Sequence, residues 1–113
     1  MDSLDCTKKY VVGVSGGSDS MTLLSLCVQK NLSVVVAHVN YKKRNSSDRD
    51  EELVRKCCEM NGIVCEVLVP VYESGNFQSW ARDVRYRFYK ELCEKYSCDA
   101  VLLGHQQADH LDT

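Results

Sequence analysis

Several absences narrow what this 113-residue chain can be. A helix that crosses a bilayer needs about 20 consecutive apolar residues, and the apolar stretches here, such as Ser33 to Val39, fall far short of that. The opening Met1-Asp2-Ser3-Leu4-Asp5 has neither the basic start nor the apolar stretch of a secretory leader. The chain therefore reads as a soluble, cytoplasmic protein that makes no membrane contact. Seven cysteines are present, yet none forms a Cys-x-x-Cys pair, which argues against zinc ribbons and thioredoxin-type redox centres. An odd count without a leader fits reduced thiols, most of them serving as small buried hydrophobes. The formal net charge is only −2. No global positive field draws in nucleic acid, so any RNA contact must be local or lie outside this chain. No internal repeat or low-complexity segment occurs. The single glycine-rich turn that follows a strand lacks the lysine of a GxxxxGK[ST] phosphate loop, and no GxGxxG is present.

What is present is an alternation of apolar runs and helical patterns, with about one domain's worth of residues. The first strand spans about Tyr10 to Val14. A helix runs from about Asp19 to Lys30 with Leu23, Leu24, Cys27 and Val28 on one side. The second strand, Ser33 to Val39, is almost continuously apolar, as a strand covered on both faces should be. Ser46 and Ser47, followed by Asp48, Asp50, Glu51 and Glu52, suit a helix start. Leu53, Val54, Cys57 and Cys58 form the apolar side of this helix, and Asn61-Gly62 closes it. The third strand spans about Val64 to Val69. Pro70, the only proline, fits a sheet edge or strand end. The longest helix, about Phe77 to Lys95, carries Phe77, Trp80, Ala81, Val84, Phe88 and Leu92 at steps of three and four, which makes one core-facing stripe. The fourth strand is Ala100 to Leu103. Ala108 to Thr113 reads as a further helix cut short, so the chain is expected to be the front part of something longer. The fold class is α/β: an open parallel sheet of Rossmann-like character, order 3-2-1-4, with helices on both faces.

The segment Val14-Ser15-Gly16-Gly17-Ser18-Asp19-Ser20 joins the first strand to the first helix. Consecutive glycines allow a tight turn whose N–H groups converge at a helix N-terminus, where they can bind phosphate oxygens. Hydrogen bonds to charged groups contribute about 1.5–3 kcal/mol each. A helix terminus adds only about 0.3–1 kcal/mol, so the amides would carry most of the binding. In an open α/β sheet the ligand crevice lies beyond the strand carboxyl ends, where the strand order reverses. With order 3-2-1-4 that point brings Ser15 to Ser20 beside Gly104, His105 and Asp109. The end of the second strand, Ala37-His38-Val39-Asn40, flanks the same crevice and could meet an adenine. Arg82, Arg85, Tyr86 and Tyr89 follow i, i+3, i+4, i+7 and make a second stripe on the long helix, suited to phosphate or carboxylate recognition. Tyr41-Lys42-Lys43-Arg44 is a short basic patch near the crevice.

These segments together carry a specific resemblance. SGGSDS (15–20), HVN (38–40) with Arg44, DRDEE (48–52), GN (75–76), ARDVRYRF (81–88) and GH (104–105) with Asp109 and Thr113 are similar, in order and spacing, to the N-terminal domain of tRNA(Ile)-lysidine synthetases. These belong to the N-type ATP pyrophosphatases, whose SGGxDS loop binds pyrophosphate. The resemblance implies a ligase that joins L-lysine to C2 of the first anticodon cytidine of tRNA(Ile), converting ATP to AMP and pyrophosphate, with Mg²⁺ as helper. It implies cofactor-binding roles for Ser15, Gly16, Gly17, Ser18, Asp19, Ser20, Ala37 and His38. Catalytic roles fall to Asp19, His105 and Asp109, substrate contacts to Arg44, Arg82, Arg85 and Tyr86, and Mg²⁺ ligation to Asp19 with Asp109.

Two positions depart from the family pattern. Ala108 replaces one carboxylate of the usual HxxDD, and Tyr41 stands where a histidine commonly follows HVN. The sequence does not set the oligomeric state, and a homodimer is one arrangement open to it. A 2-thiocytidine tRNA thiolase of the same superfamily is the nearest rival, disfavoured by the missing Cys-x-x-Cys. A non-catalytic adenine-nucleotide sensor on the same sheet is the rival from another class.

Overall fold

The computed structural model describes residues 7–42, 47–72 and 74–103. Strands β1 (Lys9–Gly13), β2 (Ser33–Val39), β3 (Val64–Leu68) and β4 (Ala100–Leu103) alternate with helices α1 (Ser18–Gln29), α2 (Ser47–Met60) and α3 (Phe77–Tyr96). The strands form one sheet in the order β3-β2-β1-β4, and every pairing is parallel. This is the expected α/β architecture. Its reversal of strand order falls between β1 and β4, where Gly13 pairs with Leu103.

The two faces of the sheet follow the two-residue period of a strand. Tyr10, Val12 and Val14 pack with Val36 and with Leu24 and Cys27 of α1 and Val54 and Cys58 of α2. Val11 and Ala37 pack with Phe88, Tyr89 and Leu92 of α3. Burial therefore runs without a break from Val35 to His38, the signature of a strand covered on both sides. Each fully buried valine or leucine contributes on the order of 1.5–3 kcal/mol.

The helix limits have local causes. Gly17 is the extended N-cap of α1, at φ −77° and ψ 167°. Asn76 caps α3 by accepting a hydrogen bond from the Ser79 amide at 3.0 Å. Ser97 ends α3 in the left-handed conformation, φ 56°.

Some expectations are corrected by the packing. β1 begins and ends one residue earlier than Tyr10–Val14, although the Val14 amide still bonds the Ala37 carbonyl at 2.9 Å. Leu53 is 48% exposed, because the apolar side of α2 narrows to Val54, Cys58 and a half-buried Cys57. Phe77 and Trp80 join Tyr41 and Tyr72 in an aromatic cluster beside the sheet end instead of entering the core. Tyr89, placed by periodicity on the polar stripe, is 6% exposed and belongs to the core beneath the sheet end.

Candidate active site

The turn after β1 is closed by its own hydroxyls. Ser20 Oγ donates to the Gly17 carbonyl at 3.1 Å and accepts from the Ser15 amide at 3.1 Å. Ser20 has one hydroxyl proton and commits it to Gly17, so in the 3.1 Å contact between the two hydroxyls Ser15 is the donor. Ser15 Oγ in turn accepts from the Gly17 amide at 3.3 Å. Gly16 sits at φ +94°, and a Cβ there would lie 2.9 Å from Cβ of Asp50 on the first turn of α2. The first-turn amides of α1, including those of Ser18, Asp19 and Ser20, have no carbonyl of their own helix to bond. A preformed turn ending in unspent donors is an anion cradle.

The cradle opens into a cleft of about 530 Å³ lined by Gly13, Val14, Ser15, Gly17, Asp19, Ser20, Ala37, Val39, Tyr41, Arg85, Tyr89 and Leu103. Its apolar floor comes from the ends of β1, β2 and β4, and its polar rim from the turn and from α3. Gly13 is what lets the floor close. A Cβ there would lie 2.7 Å from the Tyr89 hydroxyl and 2.4 Å from Cδ2 of Leu103. Burial pushes the Tyr89 hydroxyl up to about 12, so at neutral pH it keeps its proton and offers both a donor and an acceptor.

A second cavity of about 480 Å³ lies across Ser15, Val39 and Tyr41, lined also by His38, Asn40, Ser47 and Asp50. His38 is 3% exposed. Its Nδ1 is 2.7 Å from the Val14 carbonyl, which can only accept, so Nδ1 is the donor. The other ring nitrogen, Nε2, is buried and has no hydrogen-bond partner among the described residues. Asn40 is 2% exposed and fully employed. Its amide nitrogen donates to Asp48 at 3.0 Å and Glu51 at 2.9 Å, and its carbonyl oxygen accepts from the Lys42 amide at 2.9 Å. The Lys42 ammonium is paired with Asp48. Hydrogen bonds from Lys42 and Asn40 hold the Asp48 carboxyl below its ordinary range, and those from Asn40 and Arg55 do the same for Glu51. This network ties the start of α2 to the end of β2, beside the cradle.

The residues named from sequence now divide. Ser15, Gly17, Asp19, Ser20, Ala37 and Arg85 meet at one cleft; Gly16 shapes its turn, and Ser18 is the first residue of α1. His38 lines the second cavity instead, and its engaged Nδ1 makes it a brace for the root of the turn. Arg82 and Tyr86 are exposed and line neither cavity. The Arg82 guanidinium lies 5.5 Å from the Tyr86 ring centre. Arg44, His105 and Asp109, with Gly104 and the final helix pattern, lie outside the described residues. Gly13 and Leu103 are wall residues that the sequence did not point to; Val39 was expected to flank the crevice, Tyr41 to lie in the patch near it, and Tyr89 on the polar stripe of α3. A signal for the last exists: Ala81, Arg85, Tyr89 and Leu92 recur at helical spacing, so Tyr89 could have been placed inward.

Among the described residues no group of three or more His, Cys, Asp or Glu side chains could hold a metal ion. Mg²⁺ in nucleotide sites is commonly held by one or two carboxylates, substrate phosphates and waters. Asp19, at the cleft rim, fits as one such ligand. No helix among the described residues is long and apolar enough to cross a membrane.

Residues 3–113 match the PP-loop domain family. The chain is 50% identical over 105 residues to the tRNA(Ile)-lysidine synthase of Mycoplasmopsis pulmonis (strain UAB CTIP), covering 91% of this chain and 36% of that protein. It is 43% identical over 113 residues to the tRNA(Ile)-lysidine synthase of Ureaplasma parvum serovar 3, covering 94% of this chain and 33% of the relative. The chain thus spans about a third of the length of these relatives. Among solved structures, the U34-tRNA thiolase NcsA from Methanococcus maripaludis with its [4Fe-4S] cluster superposes with a TM-score of 0.78 at 22% identity, over 93% of this chain and 40% of the thiolase. At that identity the likeness is one of fold.

Proposed function

This chain belongs to the PP-loop domain family, and from that premise we propose that it is the ATP-activating part of a tRNA(Ile)-lysidine synthase. Its substrates are ATP, L-lysine and the tRNA(Ile) whose anticodon begins with cytidine. The observation that carries this reading is the hydroxyl-locked turn at Ser15, Gly17 and Ser20, which sets the first-turn amides of α1 at the rim of a nucleotide-sized cleft. Amides fixed before the ligand arrives lose little on binding and stabilise negative charge where it develops.

In the reaction, O2 of the cytidine attacks the α-phosphorus of ATP and the bond to the β-phosphate oxygen breaks. Pyrophosphate departs into the cradle, held by the amides of Gly16, Ser18 and Asp19. The lysine amine then attacks C2, and AMP leaves with the former O2. Mg²⁺, when bound, offsets phosphate charge; Asp19 and Asp109 are the residues we assign to hold it. A free lysine amine has a pKa of about 10.4, so it must shed a proton before attack. His105, next to the cradle in the expected topology, is assigned to take it. The ends of β1, β2 and β4, with Tyr89 and Ala37, form the apolar seat for adenine. Arg85, and Arg44 of the basic patch, contact the anionic parts of the substrates.

The decisive experiment incubates the protein, as its gene encodes it, with ATP, radiolabelled lysine and candidate tRNAs. Label in tRNA(Ile), lost on Asp19→Ala, supports the reading. A product that requires a sulfur donor would assign the protein to the thiolases. An absence of tRNA-dependent ATP–pyrophosphate exchange would make it a nucleotide sensor.

A further inference from the structure

Among the described residues Arg85 is the one cationic side chain at the cleft, and a guanidinium on a long stem recognises an anion well only when its plane is fixed beforehand. Its fixing comes from an unexpected side. Tyr41, just past β2, donates its hydroxyl to the Ala81 carbonyl of α3 at 3.1 Å and accepts from Arg85 Nη1 at 3.4 Å. The Tyr41 ring cannot swing freely. It packs edge-on against Phe77 at 5.6 Å and Trp80 at 5.8 Å between ring centres, and both of those rings pack against Tyr72. The same ring lines both cavities and forms part of the wall between them. Nucleotide phosphates belong to the turn at Ser15 to Ser20, so a cation held at the partition is placed for the other reactant.

We propose that Tyr41 is a positioning residue: its hydroxyl, anchored on Ala81, orients Arg85 at the wall between the two cavities to receive an anionic oxygen of the acceptor substrate. That oxygen belongs either to the lysine carboxylate or to a tRNA phosphate. The inference rests on the synthase reading for the name of the acceptor, but the Tyr41–Arg85 coupling stands on its own geometry. A histidine at this position, as is common in the resembling family, lacks the hydroxyl that bridges Ala81 and Arg85 here.

The test uses Tyr41→Phe, which keeps the ring and its aromatic neighbours, together with Arg85→Gln and the double variant. Loss of one net hydrogen bond is expected to raise the KM of the acceptor about fivefold, with kcat and the KM for ATP little changed. A rise confined to lysine assigns the carboxylate, and a rise confined to tRNA assigns the phosphate. The double variant should be no worse than Arg85→Gln alone, since the hydroxyl acts only through the guanidinium. Additive losses, or a rise in the KM for ATP alone, would overturn the proposal. Side-chain NMR of Arg85 needs no turnover and so separates this inference from the synthase reading. The guanidinium signal should be ordered in the wild type and lose order in Tyr41→Phe. Equal order in both would refute the coupling even if lysine transfer is seen, and absent transfer with a loss of order would refute only the synthase reading.

Discussion

The twin glycines of the turn are not equivalent, and exchanging each for alanine separates a demand of the backbone from a demand of the ligand. Gly16 lies at φ +94°, where an L-residue costs about 1–3 kcal/mol. Its new methyl would stand 2.9 Å from Cβ and 3.4 Å from Cα of Asp50. That obstacle is the first turn of a helix, and relieving such overpacking costs about 1–3 kcal/mol. Against this stands a gain of about 0.4–1 kcal/mol from the stiffer unfolded chain. Gly16→Ala should therefore lose about 3 kcal/mol net, within a range of about 1–5 kcal/mol. Gly17 has extended dihedrals that any residue adopts, and its added Cβ would meet only Ser15 Oγ at 3.5 Å, an ordinary contact. Gly17→Ala should leave stability within about 0.5 kcal/mol of wild type. It should nevertheless weaken binding of a nonhydrolysable ATP analogue by more than about tenfold, because a methyl intrudes where phosphate oxygens approach the backbone. Urea midpoints at constant m-value measure the first quantity and titration calorimetry the second. Equal loss of stability in both variants would refute the conformational argument. Normal nucleotide affinity in Gly17→Ala would refute the cradle.

Other consequences can be checked separately. Asn40→Ala strips donors from Asp48 and Glu51 and an acceptor from the Lys42 amide, so it should cost about 1–3 kcal/mol and be seen in the denaturation midpoint. The carboxyls of Asp48, Glu51 and Glu66 are held low in the folded state by hydrogen bonds and paired cations. Their stabilisation is complete above the ordinary carboxylate range and is lost as pH falls through and below it, so acid titration should show stability declining from about pH 5 downward. Replacing Asp48 and Glu51 by Asn and Gln should flatten that limb. Burial pushes the Cys27 thiol up, and Cys58 is raised further by donating to Cys65. In native alkylation at neutral pH both should label far more slowly than Cys65, whose thiol is lowered by that bond; mass spectrometry of the digested protein reads this. Arg85→Gln should raise the KM for lysine or tRNA about tenfold. Arg82→Gln should change it little, since Arg82 stands outside the cleft.

How far the residues announce this structure depends on how local the cause is. The strand order was legible because a continuously apolar β2 must be central, and because Ser15–Ser20 has a purpose only where the order reverses. The turn itself was legible for the same reason: its hydroxyls and glycines act within six residues of one another. The long helix was read less well. Arg82, Arg85, Tyr86 and Tyr89 share a broad stripe, but a three-residue step falls about 60° short of a full turn. Arg85 and Tyr89 therefore reach the cleft, while Arg82 and Tyr86 face outward. The contribution of Tyr41 could not be read at all, since its partners Phe77, Trp80, Ala81 and Arg85 are tens of residues away. Asn40 was equally opaque. Its spacing to Asp48 and Glu51 shows no pattern, and only the packing of α2 against the sheet brings them together. His38 shows the same limit: the sequence put it beside the crevice, but only the packing shows that its Nδ1 is engaged by the Val14 carbonyl.

The central claim is that backbone amides around Gly16 and Gly17 grip the diphosphate that ATP gives up. A crystal structure of the protein with a nonhydrolysable ATP analogue tests it most directly. The account predicts β- and γ-phosphate oxygens within hydrogen-bonding distance of the Gly16, Ser18 and Asp19 amides, with adenine over Ala37 and Tyr89. A nucleotide bound elsewhere, with that turn empty, would contradict it.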